Sequence, residues 1–169
     1  FNGVPQGTPT FDLEAPIFPH TVIDTTIVNA ASCFGYADGS ININATGNNL
    51  TYSIDGNTFS PVDSFPNLTG GPYTLYVLSA DGCLDSVNAL ITQPNQVPTP
   101  IINFPSPLCE TDTLIMSIDT LAGALCSWTG PNSFSTSSLD TIIPNASALQ
   151  SGDYSAFFTL NGCTSDTLI

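Results

Sequence analysis

The sequence predicts an all-β fold made of two small β-sandwich modules in tandem, joined by a Pro-rich linker. Three observations carry this. A distinctive stretch occurs twice: Gly71-Pro72-Tyr73 through Asp81-Gly82-Cys83, and Gly152-Asp153-Tyr154 through Asn161-Gly162-Cys163. Each copy has a Gly, a Tyr two residues on, an apolar run, a turn dipeptide and a Cys. Asp-Gly and Asn-Gly are strong hairpin signals, because type I′ turns need positive φ at both central residues. Turn signals also recur at short spacing along the whole chain without helical periodicity, as in sandwiches and barrels. Finally, 169 residues holding one internal duplication suit two small modules better than one large one.

In order, residues 1–20 carry Pro5, Pro9, Pro16 and Pro19 and read as a linker or the tail of a preceding module. The first module spans 21–94. Thr21 to Ala30 is β-branched and reads as its first strand. Asp38-Gly39 is a turn, Ser40 to Ala45 an alternating strand, Leu50 to Ile54 a third, and Asp55-Gly56-Asn57 a turn. Residues 59–65 read as irregular or an edge strand, and the first hairpin follows. Residues 95–107 hold four Pro and read as a stiff polyproline-like spacer. The second module spans 108–169, with strands at Leu114–Ile118, Ala124–Trp128, a polar Ser/Thr stretch at 133–138, Asp140–Ile143 and the second hairpin. Its last strand is expected to be incomplete, as in a window cut from a longer protein. Trp128, the single Trp, falls where a sandwich places a core Trp on its third strand. Core packing is the favoured reading, and sugar stacking the alternative.

There is no Lys or Arg, and the net charge is −14, so every charged side chain except His20 is acidic. Nucleic-acid binding needs cations to neutralise phosphates and is excluded. Docking on anionic lipid is excluded for the same reason, and no apolar run is long enough to span a bilayer. Disorder is rejected, because the chain is 41% hydrophobic. Stability must come from burial, backbone ladders and cross-links.

Five cysteines are available for cross-links. Pairing within modules, Cys33–Cys83 and Cys109–Cys163, would tie the start of each module to its last hairpin. Each loop of about 50 residues corresponds to roughly 4 kcal/mol in the chain-entropy model. Such bonds imply an oxidising, extracellular compartment. No CxxC spacing suggests a metal site. Cys126 is left over, either as a buried free thiol or as an intermolecular link.

The segments Ala31-Ser32-Cys33-Phe34-Gly35-Tyr36-Ala37-Asp38-Gly39-Ser40-Ile41, Tyr52-Ser53-Ile54-Asp55-Gly56-Asn57, Asn67-Leu68-Thr69-Gly70-Gly71-Pro72-Tyr73-Thr74, Asp81-Gly82-Cys83 and Ile91-Thr92-Gln93-Pro94 resemble the SprB-type repeat. That repeat occurs in large cell-surface adhesins of Bacteroidota, including gliding-motility adhesins. The match covers 22–94 and departs at Asn49-Leu50. Residues 108–169, with Leu108-Cys109-Glu110, Ser127-Trp128-Thr129-Gly130 and Ser151-Gly152-Asp153-Tyr154, look like the immunoglobulin-like or PKD-like modules of the same proteins, with Cys126 as a departure. The resemblance implies immunoglobulin-like sandwiches, an extracellular cell-surface location, and a stalk or filament role with no catalytic residues. Two alternatives stay open: a carbohydrate-binding accessory module of a secreted enzyme, and a self-assembling fibre or sheath subunit. An exposed aromatic row from Tyr36, Tyr52, Phe59 or Trp128 would favour the former. The partners implied are neighbouring modules of the same chain, surface glycans, or like chains in a filament.

No catalytic or metal site is expected. The lone His20 lacks a motif, and no GxSxG or HExxH occurs. The Asp-Gly pairs at 38, 55 and 81 read as turns, with loosely held Ca²⁺ at module junctions as the alternative. No cofactor is expected. The N-x-S/T sequons at Asn44, Asn49, Asn67 and Asn145 read as incidental.

Seven of the twelve Asp are followed by Ser or Thr, and six of those continue with Thr, Val, Leu or Ile. The triplets place candidate O-glycosylation at Thr25, Ser86, Thr113, Thr120, Thr141 and Thr167, because they resemble the O-glycosylation sequon of Bacteroidota. The competing reading is positional: Asp closes a turn and Thr opens a strand. Glycans on at least two of the six should give protein from its native source an intact mass above that of the bare sequence. A mass equal to the bare sequence would sink the glycan reading.

Overall fold

The computed structural model describes residues 20–104 and 108–169. The linker or module tail expected at 1–20 lies outside them except for His20, as do residues 105–107 of the linker expected at 95–107. Among the described residues, no helix is long and apolar enough to cross a membrane.

The first module is built from β1 (Val22–Asn29), β2 (Gly39–Thr46), β3 (Thr51–Ser53), β4 (Ser64–Leu68), β5 (Gly71–Leu78) and β6 (Leu84–Ile91). β1, β2 and β4 form one antiparallel sheet, and β3, β5 and β6 the other. Side chains alternate across each strand. Ile41 and Ile43 of β2 therefore point inward while Asn42 and Asn44 face water. They meet Leu75 and Val77 of β5 and Ala89 and Ile91 of β6, forming a dry core between the sheets.

The second module repeats this plan. Its strands are β7 (Ile102–Asn103), β8 (Leu114–Ile118), β9 (Leu125–Gly130), β10 (Phe134–Thr136), β11 (Asp140–Ile143), β12 (Ser155–Leu160) and β13 (Cys163–Thr164). The sheets are β7-β8-β11 and β10-β9-β12-β13. Matched in order, the first module's β1-β2-β4 and β3-β5-β6 recur as β7-β8-β11 and β9-β12-β13, with β10 added beside β9. This is the connectivity of an immunoglobulin-like sandwich. Leu114, Met116 and Ile118 pack against Cys126, Trp128, Ala156 and Phe158. Trp128 lies on the third strand, wholly buried, and its indole N–H donates to the Ser138 carbonyl at 3.0 Å.

The repeated Gly-x-Tyr has a structural explanation. The Tyr73 hydroxyl donates to the Thr69 carbonyl at 3.0 Å, and the Tyr154 hydroxyl to the Gln150 carbonyl at 3.1 Å. Both are tyrosine corners, which fix the turn leading into the hairpin strand. Gly71 and Gly152 precede them with φ of 151° and 143°, a conformation that side chains oppose. In the second module a 3₁₀ turn at Ala148–Gln150 leads into this corner, held by a reciprocal Ser147–Gln150 capping box.

Three expectations change. Residues 95–104 are not a free spacer: Val97 and Pro100 are buried, and Ile102–Asn103 pairs with β8. The apolar side chains in this stretch make it worth more as a packed strand than as an exposed linker. The stretch at 59–65, read as irregular or an edge strand, yields its strand later, at Ser64–Leu68, running through Pro66. That strand is a sheet edge, where a missing N–H is tolerated. The returning strand after Asn161-Gly162 runs past β13, with Ser165 bonding Phe158 and Leu168 bridging Ala156 near the start of β12. One extra residue between those pairings makes a bulge.

Removing either corner hydroxyl, by Y73F or Y154F, should lower stability by about 1 kcal/mol. The double variant should lose the sum, because the sites sit in different modules. Urea midpoints of the four proteins measure this, and unchanged midpoints would remove the corners from the account of stability.

Candidate functional site at the junction between the modules

Cys33 lies in the loop between β1 and β2. That loop is folded on itself: Asp38 accepts from the Ser32 backbone N–H at 2.9 Å and from the Ser32 hydroxyl. These bonds hold the Asp38 carboxyl below its ordinary value. Cys163 opens β13 directly after Asn161 and Gly162, whose φ of 51° and 84° form a two-residue turn. The loop of the first module meets the hairpin of the second, and the two cysteines form a disulfide, with α-carbons 5.6 Å apart. Cys33 is thereby packed into the second module's core cluster beside Val97.

This corrects the pairing expected from the sequence. Neither Cys33–Cys83 nor Cys109–Cys163 forms, and Cys83, Cys109 and Cys126 are free thiols. The reason is strand length. The Cys33 loop is tied to the far end of β6, through Ala31 N–H to the Thr92 carbonyl and Gly35 N–H to Gln93 Oε1. Cys83 precedes the near end of β6, which is eight residues long. At about 3.3 Å per residue the strand spans about 25 Å, whereas a disulfide needs α-carbons within about 7 Å. Cys109 and Cys163 are separated in the same way by β12. The sequence did hold the signal. Val97 and Ile102 are apolar residues inside the Pro-rich run, and their packing draws the tail of one module onto the head of the next.

Around the bond, Gln96 Nε2 donates to Asp166 Oδ2 at 3.2 Å. A cleft of about 310 Å³ opens between Phe34, Tyr36, Gln96, Val97 and Asp166. A larger groove of about 810 Å³ lies at the other end of the second module, beside Leu114, Met116, Tyr154 and Leu168, with Cys109 on its wall. By register with Tyr73, the matching position in the first module is covered by Ala89 and Ile91 of β6.

Cys126 is buried in the second core, and burial pushes its thiol up. An intermolecular bond through it would require that core to open. No exposed aromatic row forms either. Trp128 is buried, Tyr52 and Phe59 are half-buried, and Tyr36 is exposed beside Phe34 at the junction. Among the described residues no three His, Cys, Asp or Glu side chains converge, and His20 is exposed.

The carboxylates are engaged by backbone and amide groups instead. Asp85 accepts from the Ile23 N–H at 2.8 Å, beside a register shift in β1, and so fastens β1 to β6. Asp119 accepts from the Ile101 N–H at 2.7 Å and fastens the start of β7 to the end of β8. Asp112 accepts from the Cys109 N–H, Asp24 from the Thr46 hydroxyl, and Asp166 from Gln96. Four of the six Asp-Ser/Thr triplets therefore use their Asp to join chain segments, and a fifth, Asp112, closes its own loop. The hydroxyl residues point elsewhere: Thr25, Ser86, Thr113, Thr120 and Thr167 are exposed and Thr141 is half-buried. Of the three Asp-Gly pairs, only those at 55 and 81 are turns. Gly39 begins β2, and a side chain there would meet Ile91 and the Leu68 carbonyl. Asp55 accepts from the Asn57 and Thr58 N–H groups and the Ser53 hydroxyl.

No protein-family model and no curated protein matches the chain. Among solved structures, the complex of a mouse coronavirus receptor-binding domain with its murine receptor is similar at 12% identity and a TM-score of 0.39, over 85% of this chain and 98% of that one. Murine CEACAM1b is similar at 11% identity and a TM-score of 0.35, over 85% and 97%. The Ig1-2 module of Drosophila receptor protein tyrosine phosphatase DLAR gives 14% and 0.32, over 88% and 96%. At these scores the likeness says nothing about partners or activity.

The Asn57 and Thr58 N–H bonds, with Ser53, hold the Asp55 carboxyl down at about 2 from an ordinary 3.8. A depressed carboxylate stabilises the fold above its unfolded value and loses that contribution as pH falls through its folded value. D55N should therefore be less stable than the parent at neutral pH, with the gap closing as pH falls from about 4 to about 2. Parallel acid titrations followed by circular dichroism measure the gap. A gap independent of pH would show that the carboxylate charge is not what holds the turn.

Proposed function

We propose that this chain is a structural segment of an extracellular, surface-displayed protein. In this reading it is part of an adhesive stalk whose modules are covalently stapled end to end. One observation carries the reading: the Cys33–Cys163 bond joins two separately cored modules instead of bracing either one. A bond between modules adds little to either core but sets how the pair responds to tension. A pull applied at the two ends enters through β1, crosses the disulfide and leaves through β13. The chain between the two cysteines, with a separation of 130 residues, is bypassed.

Other features support the reading. A disulfide fits an oxidising compartment. Absence of Lys and Arg removes trypsin-type cleavage sites, and the net charge of −14 keeps neighbouring chains apart. The exposed hydroxyls at Thr25, Ser86, Thr113, Thr120 and Thr167 are open to glycan attachment. The resemblance of 22–94 to the SprB-type repeat agrees with a long adhesin of Bacteroidota, with neighbouring modules as first partners and surface glycans or like chains beyond them. The role is mechanical and not catalytic. The carbohydrate-binding alternative draws no support from Trp128, which has no face available for sugar stacking.

Stretching the chain by its ends tests the reading. The oxidised protein should keep residues 34–162 out of the extensible length. Reduction should release about 130 residues, or about 430–470 Å of extra contour at 3.3–3.6 Å each. Equal contour lengths before and after reduction would remove the staple from the force path and overturn the proposal.

A further inference from the structure

The two modules carry the same pair of cysteine positions, and only half of each pair is used. Cys33 and Cys109 occupy matching first loops, between β1 and β2 and between β7 and β8. In both, the Cys carbonyl accepts from the N–H three residues on, Tyr36 or Asp112, at 3.2 Å. In both, a nearby Asp carboxylate takes a backbone N–H of the loop, Ser32 for Asp38 and Cys109 for Asp112. Cys83 and Cys163 likewise occupy matching last hairpins, each directly after the turn glycine. The first hairpin is one residue longer, closed by the Ser79 N–H to the Cys83 carbonyl at 2.9 Å. The bond that does form joins the first loop of one module to the last hairpin of the next.

All five cysteines lie among the described residues, so Cys83 and Cys109 have no other partner within the chain except Cys126, which is in the core. Cys109 is exposed and Cys83 half-buried. They sit at opposite outer ends of the module pair, one a hairpin half and the other a loop half. We propose that they are the open halves of the same staple. Cys109 takes the hairpin cysteine of a following module of this kind, and Cys83 takes the first-loop cysteine of a preceding one. The contact is head-to-tail, and such a contact repeats without closing. Forming each bond removes two electrons and two protons from a pair of thiols. A small-molecule disulfide such as oxidised glutathione takes them and becomes two thiols. The inference rests on the stapled-junction reading above and extends it from one junction to every junction.

Two full chains fused in tandem provide the test, with the second copy's own residues 1–20 as the spacer. The fusion carries C83S in the first copy and C109S in the second. Its only unmatched half-staples are Cys109 of the first copy and Cys83 of the second, which face each other across the new junction. A mirrored fusion, with C109S in the first copy and C83S in the second, leaves only the two outward halves. Both are re-oxidised in a glutathione buffer, alkylated and mapped after cleavage at Asp. The facing fusion should lose both of those thiols and yield a Cys109–Cys83 peptide, and the mirrored fusion should keep both thiols titratable. Beyond the two Cys126 thiols, which persist in either fusion, alkylated Cys109 of the first copy and Cys83 of the second in the facing fusion, or equal cross-linking in both, would overturn the proposal. The same digest reports Cys33–Cys163 in each copy. Its absence would overturn the stapled junction itself, whereas its presence with Cys109 and Cys83 both alkylated in the facing fusion would overturn only the extension.

Discussion

A disulfide reaches only about 7 Å between α-carbons, while a strand of eight residues spans about 25 Å. That mismatch governs this molecule. In each sandwich the first loop and the last hairpin lie at opposite ends of the hairpin strands, so cysteines placed there cannot meet within a module. They can meet only where the tail of one module abuts the head of the next. Once the chain runs from β6 into β7 without a free spacer, the loop carrying Cys33 and the hairpin carrying Cys163 share a junction. Closing a loop of about 130 residues corresponds to about 5 kcal/mol in the chain-entropy model. That contribution belongs to the pair of modules and to neither one alone.

The absence of Lys and Arg imposes a second constraint, and the carboxylates show how it is met. With no cationic side chain available beyond His20, the acidic groups seek N–H and O–H donors. Asp85 takes the Ile23 N–H, Asp119 the Ile101 N–H, and Asp55 two N–H groups and the Ser53 hydroxyl. Hydrogen bonds to a charged acceptor are stronger than neutral ones. These therefore do part of the fastening that ion pairs do elsewhere, at the sheet edges and loops where backbone donors would otherwise lack partners.

Much of this was legible in the sequence. Alternation in Ile41-Asn42-Ile43-Asn44 gave β2 and its buried face, and Leu114–Ile118 and Asp140–Ile143 were read at their observed bounds. The doubled Gly-x-Tyr revealed the duplication without revealing the corner, because a hydroxyl bond to the carbonyl four residues back leaves no mark on hydrophobic pattern. An edge strand was legible near β4 but its bounds were not: it sits at Ser64–Leu68 and not at 59–65, running through Pro66 because an edge tolerates a missing N–H. The run 95–104 was obscured by its prolines, although Val97 and Ile102 carried a packing signal. The disulfide was misread for a different reason. Sequence separation favours near neighbours, whereas bonding follows which ends of the modules meet, and that depends on strand direction and connection length together.

The two constraints meet at the junction. Two modules that are both acidic, with Asp38 and Asp166 near the contact, gain no electrostatic attraction from docking. The cleft between Phe34, Tyr36 and Val97 also leaves Phe34 and Tyr36 about half exposed, so apolar burial at the contact is modest. Noncovalent forces alone would leave the pair free to bend or part, the default for domains that share a small interface. A covalent bond is indifferent to charge and to salt, so it holds a chain whose net charge of −14 would otherwise favour separation. A cross-link between the modules is thus an effective way to hold them in line despite their shared acidity.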